Sequence, residues 1–66
     1  MDINHAMQIC LKNKVKVFPE YFHNLKGFKI GYKIGNEKPK YFDKIIKQKE
    51  INNALTSSYM YLASKL

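Results

Sequence analysis

The chain has 66 residues, 45% of them hydrophobic, and its twelve basic residues are all lysine against five acidic ones, a net charge of +7. That hydrophobic share excludes a disordered tail and supports one small domain, 1–66, whose margin of stability is thin because so short a chain buries a modest part of its surface. The single cysteine, Cys10, excludes an intrachain disulfide, and it forms no metal-ligand spacing with His5 and His23, so the core must come from side chains or be shared with a second copy.

Residues 2–13 read as a helix. Asp2 suits the N-cap and the positive helix N-terminus. Ile3, Ala6, Met7, Cys10 and Leu11 fall at helical spacing and predict one stripe facing the core, with Cys10 as a small buried hydrophobe. Asn13 is the expected left-handed stop. Lys14 to Phe18 then alternates, with Lys14 and Lys16 out and Val15 and Val17 in. Pro19 marks an edge strand or a strand end, since proline cannot donate to a ladder, and Tyr21 and Phe22 can resume it. His23-Asn24-Leu25-Lys26-Gly27 reads as a turn, with Asn24 and Gly27 as its conformationally tolerant residues.

Residues 28–34 show unbroken period-2 alternation. Phe28, Ile30, Tyr32 and Ile34 share one face; Lys29, Gly31 and Lys33 share the other. The turn at 35–39 makes a hairpin with the run 40–46, in which Phe42 and Ile46 point inward if the strand carries a bulge or ends early. Residues 48–65 read as a second helix, with Ile51, Ala54, Leu55, Ser58, Tyr59, Leu62 and Leu66 on its stripe. Met60 and Tyr61 fall off it, leaving the C-terminal half apolar on more than one side. The expected fold is α+β in the order α-β-β-β-α: a three-stranded antiparallel meander with both helices on its apolar face.

The order αβββα resembles the double-stranded-RNA-binding domain. Cys10-Leu11-Lys12-Asn13 followed by Pro19-Glu20-Tyr21 is similar to that family's first helix running into its first strand. Lys47-Gln48-Lys49-Glu50-Ile51-Asn52-Asn53-Ala54-Leu55 resembles its second-helix start, and the resemblance implies phosphate contacts at Lys47 and Lys49. The chain departs from the family in the 23–27 turn, which lacks Gly-Pro-x-His, and at Gln48 and Asn52, which replace block lysines. Gln8 is the nearest match to the helix-one glutamate. In arrangement only, the sheet-face lysines are similar to the three-stranded sheets that arm-type integrase domains lay in a DNA major groove.

A +7 surplus attracts polyanions. Lysine is a point charge suited to phosphate, whereas arginine forks read guanine, so contacts to the nucleic-acid backbone are expected. The same excess of Lys, Asn, Ile and Tyr is what AT-rich codons produce, which points to an AT-rich bacterium or its phage as source and offers a compositional origin for the charge. No paired carboxylates, phosphate loop or nucleophile–base pair is visible, and no enzyme activity or cofactor is expected. Nothing approaches a membrane span or a signal peptide, and the helices are not basic amphipaths of the interfacial kind, so no membrane partner is expected. A free cysteine without a targeting segment fits the cytoplasm.

These features predict a small basic module that binds DNA or RNA through Lys14, Lys16, Lys29, Lys33, Lys40, Lys44, Lys47 and Lys49, with Tyr32 or Tyr41 as stacking groups. The alternative is a protein-interaction module, a phage-encoded host-factor binder or virion component. It would use Tyr59, Met60 and Tyr61 of the C-terminal helix toward a host protein or a second copy.

Overall fold

The computed structural model describes residues 2–66. The order is α1 (Ile3–Lys12), β1 (Val15–Phe22), β2 (Gly27–Ile34), β3 (Lys40–Tyr41), a short 3-10 turn (Gln48–Glu50) and α2 (Ile51–Lys65). The strands form an antiparallel sheet in the order β1-β2-β3, and both helices pack on the same side of it. This is the expected α+β arrangement.

Asp2 caps α1 as expected: its carboxylate accepts the His5 amide at 2.7 Å, a bond of the kind that stabilises a helix by about 1 kcal/mol. The core-facing stripe differs from the expected one. Ala6 and Cys10 are fully buried and Ile9 packs on the core, but Met7 is 43% exposed and Leu11 78%. The reason lies in the partner of α1. Its small residues Ala6 and Cys10 meet Leu62 and Ala63 of α2 and Val15 of β1 in one cluster, and the Cys10 thiol donates to the Tyr59 carbonyl at 3.8 Å. Seating that small-residue face against α2 turns Met7 and Leu11 outward. The left-handed residue after the helix is Lys14 (φ 60), not Asn13, which sits at φ −96 and donates its side-chain amide to the Ile9 carbonyl at 2.8 Å. In the turn after β1 the left-handed position is likewise Lys26 (φ 52), not Asn24 or Gly27.

β1 runs straight through Pro19. On β2, Phe28 and Ile30 bond to the other side: the Phe28 amide donates to the Ile46 carbonyl at 2.9 Å and the Phe42 amide to the Ile30 carbonyl at 3.0 Å. An antiparallel ladder alternates, so β1 is bonded by the intervening residues of β2, and Pro19, opposite Ile30, turns its missing N–H toward the free edge. Proline therefore costs no ladder bond here and blunts the edge.

The third strand is short for a countable reason. Tyr32 pairs with Lys40 and Gly31 with Tyr41, yet Phe28 pairs with Ile46. Two extra residues lie between Phe42 and Ile46, at Asp43 and Lys44. An insertion of two preserves the side-chain period, so Phe42 and Ile46 both point inward, as expected, and Tyr41 and Ile45 both point outward. Ile30 and Ile46 are buried, each contributing about 1.5–3 kcal/mol. Tyr32 joins this side, its ring 5.2 Å from that of Phe42. In α2, Ser58 and Leu62 are buried as the stripe requires, and the Ser58 hydroxyl is satisfied by donating to the Ala54 carbonyl at 2.8 Å. No helix among the described residues is long and apolar enough to cross a membrane.

Candidate nucleic-acid interface

One face of the sheet is covered by the helices and the other is not. Strand alternation assigns Lys16, Phe18, Glu20 and Phe22 of β1 to the uncovered face, with Gly27, Lys29, Gly31 and Lys33 of β2 and Tyr41 of β3. The register sets them in rows: Lys16 opposite Lys33, Phe18 opposite Gly31, Glu20 opposite Lys29, Phe22 opposite Gly27, and Gly31 opposite Tyr41.

The centre of this face is aromatic. Phe18 and Tyr41 flank Gly31 with ring centroids 6.1 Å apart and planes at 89°, and Phe22 meets Tyr41 at 5.3 Å. A Cβ on Gly31 would stand 2.7 Å from Tyr41 Cε1 and 2.8 Å from Phe18 Cε2, well inside ordinary carbon–carbon contact. Glycine is required there because an edge of each ring reaches over its backbone. Ile45 does the same over Gly27, where a Cβ would be 2.5 Å from Cγ2. The Tyr41 hydroxyl donates to the Glu20 carboxylate at 2.9 Å, and that bond raises the phenol's pKa above the ordinary 10.0, because ionising it would place an anion against a carboxylate.

Charge is unevenly spread along the face. At one end Glu20 opposes Lys29, and Lys29 also holds its ammonium 5.8 Å from the Phe22 ring centre, so this end is nearly neutral. At the other end Lys16 and Lys33 oppose each other directly. Lys14 lies in the turn just before them, its carbonyl accepting the Gly35 amide at 2.9 Å. Like charges directly opposite on an antiparallel pair are destabilising.

The eight predicted lysines do not form one patch. Lys16, Lys29 and Lys33 share the uncovered face, and Lys14 leads into its basic end. Lys40 opposes Tyr32 on the helix side of the sheet edge. Lys44 stands in the two-residue insertion at the rim of a cleft of about 470 Å³ between the sheet and α2, floored by Ile30, Phe42 and Ile46. Lys47 and Lys49 lie at the 3-10 turn that leads into α2, where the Lys47 amide donates to the Glu50 carboxylate at 3.1 Å. Because Ile46 pairs with Phe28, these two lysines sit at the end of the sheet that carries the 23–27 turn.

Of the two tyrosines expected to stack, Tyr41 is on the uncovered face and Tyr32 is in the covered one. Phe18 and Phe22 also stand on this face, beyond the residues expected from the sequence. The signal was present, since Phe18 shares the parity of Lys16 once β1 continues through Pro19. At the expected partner surface, Tyr59 and Met60 pack against the core. Tyr61 is 53% exposed and packs at 5.9 Å against Phe42. Tyr61 also lines the cleft between the sheet and α2, and Tyr59 lines a second apolar groove with Met7, Leu11 and Val17 beside the free β1 edge.

Cys10 is buried and desolvation pushes its thiol pKa up, the opposite of what a reactive thiolate needs. Among the described residues no group of three or more His, Cys, Asp and Glu side chains could hold a metal ion. No protein-family model, no curated protein and no solved structure matches this chain.

Proposed function

We propose that the protein is a non-catalytic module that binds nucleic acid across the uncovered face of its sheet. The observation that carries this reading is the Lys16–Lys33 pair. Two ammonium groups held opposite one another on a solvent-facing surface cost the fold stability, and a phosphate placed over them converts that repulsion into attraction. Lys14 extends the basic end, Lys29 adds a cation offset by Glu20, and the aromatic rings between give the ligand an apolar floor. Lysine rather than arginine makes the contacts electrostatic and weakly selective for sequence.

The test is a binding series at rising salt. Three to four phosphate contacts predict a log–log slope of about −3 on duplex DNA, or about −2 to −3 on a single strand. The double variant Lys16→Glu/Lys33→Glu should abolish binding while Lys47→Glu/Lys49→Glu largely spares it. Absence of binding at low salt would refute the proposal.

A second reading is favoured by one observation. Leu11 is 78% exposed beside Met7, along the free edge of β1, and burying both against a second copy would enlarge a small core. Sedimentation at micromolar concentration tests it: a dimer that Leu11→Glu dissociates supports this reading, and a strict monomer excludes it.

A further inference from the structure

We infer that the nucleic acid taken by this face is single-stranded, with bases seated on Phe18 and Tyr41 and the backbone running over Lys16 and Lys33; this rests on the reading just given. A strand facing solvent alternates its apolar residues toward the core and its polar ones outward. Here the outward positions of β1 hold Phe18 and Phe22, and β3 adds Tyr41. Gly31 leaves room for an edge of both the Phe18 and the Tyr41 ring close to the sheet. Neither helix covers them. Aromatic side chains among phosphate-binding lysines match a ligand that offers both a charged backbone and free base faces. A duplex keeps its bases stacked inside and would meet the rings with sugar and phosphate alone.

Glu20 fixes the direction. Its carboxylate sits toward the end of the face away from the Lys16–Lys33 pair, oriented by the Tyr41 hydroxyl at 2.9 Å. It repels phosphate from that half of the surface and accepts hydrogen bonds of the kind that the amino groups of adenine, cytosine and guanine donate. The backbone is therefore confined to the end where Lys16 opposes Lys33, and the bases point along the strands toward Glu20. On this face a duplex would lay its second phosphate rail over the end where Glu20 opposes Lys29.

Fluorescence anisotropy with labelled oligodeoxycytidylate, oligocytidylate, a DNA duplex and a hairpin RNA of equal charge tests this on the intact chain at low salt. The expected result is at least about tenfold tighter binding of the single strands. Phe18→Leu and Tyr41→Leu keep apolar bulk but remove the ring faces. Each should weaken single-strand binding by about tenfold and leave duplex binding unchanged, with circular dichroism reporting that the variants fold. Equal affinity for single and double strands in the unmodified protein, or an unchanged single-strand affinity in both folded variants, overturns the inference but leaves the lysine reading standing. Binding to none of the probes overturns that reading as well.

Discussion

Replacing Lys33 with glutamate should raise stability and destroy binding together. Lys33 and Lys16 face each other across a hydrogen-bonded row of β1 and β2, where Cα atoms stand about 5.5 Å apart. With long side chains in water, two ammonium groups at about 7 Å repel by roughly 0.6 kcal/mol before screening. Lys33→Glu turns this into an attraction of similar size, so the change in low salt is about 0.5–1 kcal/mol in favour of folding. For a domain of this length that is a rise in melting temperature of roughly 2–8 °C. The effect should shrink as salt approaches physiological strength, where the screening length is about 8 Å. Thermal unfolding followed by circular dichroism, at two salt concentrations, measures the first half; anisotropy against a labelled oligonucleotide measures the second. A variant that is less stable in low salt, or equally stable but still binding, refutes the argument that this pair is maintained for a polyanion.

Other consequences can be checked independently. Gly31→Ala should destabilise by about 1–2 kcal/mol in urea unfolding, since the new methyl displaces Phe18 and Tyr41 at an overpacking cost that exceeds the gain from removing a strand glycine; a neutral or stabilising result would mean the rings do not lie over it. Asp2→Ala should cost about 1 kcal/mol through loss of the cap on the His5 amide, seen as the same shift in urea midpoint at constant slope. Cys10 should resist a thiol reagent in the native protein and react at the free-thiol rate in denaturant, because burial holds the thiol protonated. Tyr41 should ionise above the ordinary tyrosine value when phenolate absorbance is followed. A folded pKa raised in this way supplies stability that is full below about pH 10 and lost as pH climbs through the raised value. Glu20→Gln should bring that pKa back down.

The parts of this fold that were legible are those governed by local period. Strand β2 announces itself through Phe28, Ile30, Tyr32 and Ile34, and the two-residue insertion at Asp43 and Lys44 leaves the inward pattern of Phe42 and Ile46 readable across it. What was not legible depends on contacts between elements. The face of α1 is chosen by how closely Ala6 and Cys10 let it approach α2, which no pattern within α1 records, so Met7 and Leu11 read as core and are not. The uncovered face was half visible. Its lysines follow from alternation, but its aromatic centre depends on β1 continuing through Pro19 to Phe22 and on Tyr41 keeping its parity beside Gly31. Gly35 takes the left-handed position after β2, but those after α1 and β1 fall to Lys14 and Lys26 rather than to Asn13, Asn24 or Gly27, because hairpin and helix-end geometry set those positions before side-chain preference does.

Chemical-shift mapping locates the ligand on the molecule most directly. Titrating isotope-labelled protein with a single-stranded oligonucleotide should move the signals of Lys16, Phe18, Gly31, Lys33 and Tyr41 and leave the exposed side of α1 still. Shifts gathered instead on α1, the 23–27 turn and residues 47–50 would contradict the account, since they would place the ligand on the helix-side surface that the resemblance to double-stranded-RNA-binding domains implies.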